Sequence, residues 1–192
     1  MLAKAVVNDS SSLAELAQQI KLKYGKLDIL INNAGFTRAI EHKDLESLTD
    51  ELIDDIFQVN VRGAFAAVRA MKPLLDASGD ALIINISSIA ARTGIGSNVA
   101  YCASKAALDS MTRSLARALA PNIRVVSVAP GWVMGDYAQK VPADYLNQQK
   151  RLTPLKRIAE AEDVARAVLA VATHLRFSTG CIIPVDGGRP LG

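Results

Sequence analysis

The chain has 192 residues, half of them hydrophobic, with 22 basic against 19 acidic side chains and a formal charge of +3. That composition excludes a disordered chain and fits one domain with a substantial core, while the absence of basic runs argues against a nucleic-acid partner. Because Cys102 and Cys181 lack metal-ligand spacing and no apolar run reaches the roughly 18 residues of a membrane span, we expect no metal site, no disulfide, no membrane partner and a cytoplasmic protein.

Helical patterns alternate along the chain with short runs rich in β-branched residues, which is typical of a parallel sheet covered by helices on both faces. We expect Ser10–Ser12 to cap a helix from about Leu13 to Tyr24, which Gly25 ends. The other predicted elements are strands at 1–7, 27–31, 81–86, 123–128 and 181–185, and helices at 49–77 and 101–119. The pattern predicts an α/β fold with a doubly wound parallel sheet, as a single domain over residues 1–192.

Residues 131–153 form the one long stretch without a regular pattern, and we expect a loop there that covers a substrate. Its side chains mix apolar and polar character. The residues concerned are Trp132, Val133, Met134, Tyr137 and Tyr145. This mixture suggests a medium-sized, partly apolar substrate.

Two short polar segments follow predicted strands. Asn32-Asn33-Ala34-Gly35 comes directly after the strand 27–31, and Ser87-Ser88 ends the strand 81–86. Both therefore lie at the carboxyl edge of the sheet, where open α/β folds bind ligands. A simple turn is the alternative for the first segment, because Asn and Gly favour turns. Either serine hydroxyl could hydrogen-bond a substrate oxygen.

Tyr101 and Lys105 lie four residues apart in a helix-forming stretch, so both side chains lie on one helical face. A neighbouring cation favours the phenolate form of a tyrosine, which makes Tyr101 a candidate acid/base. Asn60 interrupts another helical pattern and indicates either a kink with a function or an exposed polar residue. A serine hydrolase is the rival chemistry, but the only histidines are His42 and His174 and no Gly-x-Ser-x-Gly turn is present.

A Tyr-x-x-x-Lys pair is weak evidence by itself, but the whole set of motifs resembles the short-chain dehydrogenase/reductase family. The matching residues, in order and at fitting intervals, are Asn32-Asn33-Ala34-Gly35, Asn60, Ser88, Tyr101, Lys105 and Pro130-Gly131. The resemblance is greatest to reductases of 3-oxoacyl thioesters and of small ketones. It implies a Rossmann-like oxidoreductase that uses NAD or NADP on a ketone or secondary alcohol, assembled as a homotetramer or homodimer.

The resemblance also implies a role for each matching residue. Tyr101 would pass the proton, and Lys105 would stabilise the phenolate and bind the nicotinamide ribose. Ser88 would orient the substrate oxygen, with Ser87 as backbone support, and Asn60 would hold a water near Lys105. Further cofactor contacts would come from Asn33, Ala34, Gly35, Pro130, Gly131 and the backbone of Val133.

The sequence departs from the family pattern in several places. The family begins with a strand, a glycine-rich turn and a helix that hold the pyrophosphate, whereas Gly25 is the only glycine among the first 34 residues. We therefore expect the chain to begin at the family's third strand, supplied by Met1–Val7, without the first two strands. Val6 stands where an aspartate usually binds adenine, and Gly135 stands where a threonine is common. A non-catalytic fragment or scaffold that cannot bind a dinucleotide tightly is the alternative, and the sequence does not distinguish NAD from NADP.

Overall fold

The computed structural model describes residues 1–135 and 141–191. Within them, a parallel sheet has the order β1-β2-β3-β4, with β1 at Ile29–Asn32, β2 at Ala81–Ile86, β3 at Ile123–Pro130 and β4 at Ile182–Val185. The helices are α1 Ser10–Tyr24, α2 Asp50–Phe57, α3 Ala64–Asp76, α4 Ala90–Thr93, α5 Val99–Leu119, α6 Ala143–Leu152 and α7 Ala161–Thr173. A π-helix, Gln58–Gly63, joins α2 to α3, and a 3-10 turn spans Arg189–Leu191. The predicted α/β fold is confirmed.

The two central strands are buried on both faces. Alternate residues of a strand point to opposite sides of the sheet, so Ile83 packs under the layer of α1, α3 and α5 while its neighbour Ile84 packs under α7. Both are fully buried, as are their partners across the ladder, Val125 and Val126. This two-sided burial explains why β2 and β3 are continuous apolar runs in the sequence.

Helix α1 begins earlier than predicted, because its N-cap is Asp9 rather than the serines. The Asp9 Oδ1 atom accepts hydrogen bonds from the backbone N–H groups of Ser11 at 2.9 Å and Ser12 at 3.4 Å. Gly25 ends the helix as predicted. Its φ of 74° lies in the left-handed region that favours glycine, and its N–H donates to the Lys21 carbonyl.

The predicted long helix over 49–77 is confirmed as α2, the π-helix and α3 in succession, with Thr49 as the N-cap. None of the helices in the described ranges combines the length and the apolar character needed to cross a lipid bilayer.

The strand predicted at Met1–Val7 is wrong, since it joins no sheet in the described part of the chain. The Val6 backbone N–H donates instead to Ser12 Oγ at 2.9 Å. Val7 packs against Gly63, where an added Cβ would lie 3.1 Å from Val7 Cγ2. An apolar run becomes a strand only when a neighbouring strand pairs with its backbone, and here the segment contacts helices instead.

The expectation of an irregular stretch over 131–153 is also wrong, because α6 lies within it. The helix is polar around most of its circumference, and Gln149 is its only buried residue. The apolar spacing that predicts a helix is therefore absent from its sequence. Helices α4 and α7 are further elements that the sequence analysis does not assign, and Tyr137 lies outside the described residues.

Candidate active site

Helix α5 carries Tyr101 and Lys105 to the carboxyl edge of the sheet. Asn98 caps the helix, and its Oδ1 accepts from the Tyr101 N–H at 2.7 Å. Lys105 is 95 % buried, with a relative exposure of 5 %. Its Nζ donates to the Ile86 carbonyl at 2.7 Å and lies 5.8 Å from the centre of the Tyr101 ring. The predicted arrangement of the two side chains on one helical face is therefore present.

Burial lowers the pKa of the Lys105 ammonium to about 8, and the nearby Asp109 carboxylate opposes that shift. Most of the ammonium still carries its charge at pH 7. A fixed cation in a site shielded from water favours an anion on a neighbouring group more strongly than one in bulk solvent.

Asn60 lies in the π-helix, and its side chain is almost fully buried. Its Oδ1 accepts from the Phe36 N–H at 2.7 Å, and its Nδ2 donates to the Phe36 carbonyl at 3.0 Å and to Ser104 Oγ at 3.0 Å. The alternative of an exposed polar residue is thereby excluded. π-Helices are rare and often occur at functional sites.

The segment Asn33-Ala34-Gly35 passes over these two side chains. A Cβ on Gly35 would lie 3.6 Å from Asn60 Oδ1 and 3.7 Å from Lys105 Nζ, so the Gly35 backbone is in close contact with both residues. Asn33 and Ala34 are exposed at the end of β1. The structure thus brings Asn60, Lys105 and the predicted cofactor segment together, with a surface open to a ligand.

The two serines after β2 have different surroundings. Ser87 is buried, and its hydroxyl donates to the Lys105 carbonyl at 3.4 Å. Ser88 is half-buried, and its Oγ accepts from the Ala90 N–H at 3.1 Å. Because that bond uses an oxygen lone pair and not the hydroxyl proton, Ser88 retains a donor for a substrate oxygen. This difference supports Ser88 over Ser87 as the substrate-facing residue.

Pro130 and Gly131 end β3 beside the end of β4. The Gly131 N–H donates to the Val185 carbonyl at 3.0 Å. A Cβ on Gly131 would lie only 3.2 Å from the Asp186 Cα, so a side chain at this position would push the two segments apart. The glycine lets the chain turn close against the end of β4.

Val133 forms an isolated parallel bridge with Ala159. The hydrogen bonds of this bridge run from the Ala159 N–H to the Trp132 carbonyl at 3.0 Å and from the Met134 N–H to the Ala159 carbonyl at 2.8 Å. The N–H and C=O of Val133 itself take no part in them, because in a parallel bridge they point to the opposite side. The Val133 N–H and C=O are therefore not used by this bridge, and they have the chemistry to hydrogen-bond a ligand.

A buried chain of hydrogen bonds that the sequence analysis misses fixes α5 on the sheet. Asn32 donates to Asn85 at 2.9 Å, Asn85 donates to Thr112 on α5 at 2.8 Å, and the hydroxyls of Thr112 and Ser127 lie 2.8 Å apart. Asn32, Asn85 and Ser127 are in register on three adjacent strands. The available signal was a single uncharged polar residue in each of these apolar strands.

A family model described as enoyl-(acyl carrier protein) reductase matches residues 3–189. L-xylulose reductase of Caenorhabditis elegans is 38% identical, over 95% of this chain and 74% of that protein. The 3-oxoacyl-acyl-carrier-protein reductase of Thermotoga maritima is 33% identical, again over 95% of this chain and 74% of that protein. The chain belongs to the short-chain dehydrogenase/reductase family.

The family fold extends along the described chain. A solved structure of a short-chain dehydrogenase/reductase from Brucella melitensis, named for glucose/ribitol dehydrogenase, matches with a TM-score of 0.89 at 28% identity. That match covers 97% of this chain and 74% of the other. The predicted family and the Rossmann-like parallel sheet are thus confirmed.

Proposed function

We propose that this short-chain dehydrogenase/reductase transfers a hydride between the nicotinamide of NAD or NADP and a ketone or secondary alcohol, with Tyr101 as general acid/base. The observation that carries the proposal is the buried Lys105 ammonium, which the Ile86 carbonyl holds at 2.7 Å and which lies 5.8 Å from the Tyr101 ring centre. A buried cation is costly for a fold to keep. Its position beside a phenol is explained if that phenol must carry negative charge during a reaction. The names of both curated relatives describe reductases.

The residues around Lys105 fit the nicotinamide end of a dinucleotide. Asn33 and Ala34 are exposed at the carboxyl edge of the sheet, and the Val133 backbone has the donor and acceptor that a carboxamide requires. Lys105 would bind the ribose, and Pro130-Gly131 would let the chain pass close to the ring. When bound, the nicotinamide supplies or accepts the hydride.

The chain's own residues would handle the proton. Tyr101 would donate its hydroxyl proton to a ketone oxygen, or accept one from an alcohol, and Lys105 would stabilise the phenolate. Ser88 would donate a hydrogen bond to the same substrate oxygen and stabilise its developing charge. Asn60 would hold an ordered water that reconnects Lys105 to solvent.

The aromatic side chains beyond β3 support a substrate with an apolar part. Trp132 and Tyr145 pack edge to face, with ring centres 5.5 Å apart and an interplanar angle of 67°. Tyr145 lies on α6, so this contact holds the helix near the end of β3. We propose a medium-sized, partly apolar ketone or alcohol as the substrate.

The first test is binding of NADH and of NADPH to the purified chain by calorimetry, followed by a screen of ketones for oxidation of the bound cofactor. Tyr101→Phe is the matched control, since it should bind the cofactor and fail to turn over. Tight binding together with oxidation that requires Tyr101 would support the proposal. A folded sample that binds neither dinucleotide would contradict it and favour the non-catalytic fragment or scaffold. Val6 and Gly135, which stand where the family commonly has an aspartate and a threonine, would then account for two of the missing cofactor contacts.

A further inference from the structure

The loop after Gly35 is tied to the start of α5 by a second buried asparagine, Asn98, which is 1 % exposed. While its Oδ1 caps the helix at the Tyr101 N–H, its Nδ2 donates to the Arg38 carbonyl at 2.8 Å and to Thr37 Oγ1 at 3.3 Å. One amide therefore holds both the backbone of the proposed acid/base and the backbone of the loop.

Two further contacts join the same segments. The hydroxyls of Thr37 and Ser97 lie 2.5 Å apart, and the Ile40 N–H donates to the Ser97 carbonyl at 2.8 Å. We call Thr37, Arg38, Ser97 and Asn98 the clasp. It joins residues about 60 positions apart in the sequence, which is why no local pattern indicates it.

Helix capping alone does not require an asparagine at position 98. A cap needs one acceptor, and serine, threonine or aspartate supplies it as well as asparagine does. The donors of the Asn98 amide are directed at the loop instead. Asn60 holds the same loop from the other side, through Phe36, and contacts α5 through Ser104. The loop 36–38 is thus fixed to α5 at both of its ends.

We propose that Asn98 is a positioning residue that keeps Tyr101 in register with the segment 33–38, where cofactor and substrate would bind. The inference rests on the proposed function, because it takes Tyr101 as the group that moves the proton. Small displacements of a reacting group are costly, and an error of about 1 Å can reduce a rate by about 100-fold. The clasp would limit such displacement between Tyr101 and a ligand bound on the segment 33–38.

Three variants separate positioning from capping. Asn98→Ser keeps a good N-cap acceptor but is too short to reach Arg38, and Asn98→Ala removes both contacts. Thr49→Ala is the matched control, because Thr49 caps α2 through the Leu52 N–H and lies outside the clasp. We expect Asn98→Ser and Asn98→Ala to lower kcat by about 10- to 100-fold with little change in KM, and Thr49→Ala to leave kcat unchanged.

Amide hydrogen exchange gives a readout that does not depend on activity. We expect faster exchange at residues 36–40 in both Asn98 variants, with the melting temperature of Asn98→Ser close to that of the wild type. Wild-type kcat and wild-type exchange in Asn98→Ser, with losses only in Asn98→Ala, would overturn the proposal and reduce Asn98 to a cap. A wild-type chain without Tyr101-dependent turnover, but with faster exchange in Asn98→Ser, would contradict the proposed function and support the clasp.

Discussion

Two neighbouring strands, β1 and β2, differ strongly in how deeply their side chains on one face of the sheet are buried. Ile31 of β1 and Ile84 of β2 are partners in the parallel ladder. Ile84 is fully buried under α7, whereas Ile31 is 45 % exposed. Ile29 and Leu82, two residues earlier in the ladder and on the same face, repeat the contrast at 42 % and 2 % exposed.

The difference arises because α7 packs on β2, β3 and β4 and does not cover β1. Helix α5, which carries Tyr101 and Lys105, packs on the opposite face of the sheet. On the face of α7, β1 presents Ile29 and Ile31 as apolar surface within the described residues. Exposed apolar surface of this kind favours contact with another apolar surface. Burial in this sheet therefore follows the cover that the helices provide, so Ile84 is a core residue and its ladder partner Ile31 is not.

The largest expected effect is the difference in unfolding free energy between alanine variants of the two partner isoleucines. We expect Ile84→Ala to lower the free energy of unfolding by about 3–4 kcal/mol, since it opens a cavity in a fully packed core. Ile31→Ala should cost about 1 kcal/mol or less, since much of that side chain is already in water. Urea unfolding of both variants measures the difference, and equal losses would contradict the contrast between the strands.

The buried ammonium of Lys105 should destabilise the folded protein at neutral pH. We expect Lys105→Met to raise the unfolding free energy by about 1–2 kcal/mol at pH 7, because each unit of pKa depression corresponds to about 1.4 kcal/mol and the lost hydrogen bond to Ile86 offsets part of the gain. Lys72→Met is the control, because Lys72 forms only a partly exposed pair with Asp76.

The gain should depend on pH in a defined direction. The folded pKa of Lys105 is about 8 and its ordinary value is 10.5, so between these values the unfolded chain binds more protons than the folded one. The wild type should therefore gain stability relative to Lys105→Met as pH rises through this window. Denaturant unfolding of both proteins at pH 7, 9 and 10.5 tests this, and a constant difference would contradict it.

Gly96 tests how tightly the residues around Tyr101 pack. A Cβ on Gly96 would lie 2.8 Å from Cys102 Sγ and 3.2 Å from Tyr101 Cδ1, whereas a Cβ on Gly135 would meet no atom of the described residues within 4 Å. We expect Gly96→Ala to cost about 1 kcal/mol in unfolding free energy and Gly135→Ala to cost less. Similar melting temperatures for the two variants would show that the loop at Gly96 yields without strain.

The smallest effect should come from the start of α7. Arg157 and the Glu160 N–H both bond the Asp163 carboxylate, and these bonds, led by that to Arg157, hold its pKa well below its ordinary value. The stability that the carboxylate adds is present above its ordinary pKa of 3.8 and is lost as pH falls below it. Asp163→Asn should therefore melt slightly lower than the wild type at pH 7 and match it more closely at pH 3 in thermal unfolding scans. A difference that grows on acidification would contradict this.

Much of the fold follows from local patterns. Strand β2 has the predicted bounds, Ala81–Ile86, because a fully buried strand is a run of apolar residues. Gly25 ends α1 as predicted because only a left-handed residue closes the helix there. The prediction of a strand at Met1–Val7 was wrong. Whether this segment becomes a strand depends on pairing with a neighbouring strand, which its own sequence does not encode. Helix α6 was not predicted, because its sequence lacks the apolar face by which a helix is identified.

The candidate site was predictable where its residues lie on one face of one helix, as Tyr101 and Lys105 do. The contacts of Asn98 with the loop, and those of Asn85 with Thr112, were not predictable, because they join distant parts of the chain. The remaining expectations, a homotetramer or homodimer and a cytoplasmic location, stay predictions.

The decisive measurement of the role of Tyr101 is the rate at which bound NADH or NADPH is oxidised in a single turnover, compared between the wild type and Tyr101→Phe. We expect the variant to bind the cofactor as tightly as the wild type and to react about 100- to 10,000-fold more slowly with the same ketone, which is the range of general acid–base catalysis. Equal rates in the two proteins would contradict the assignment of the proton to Tyr101.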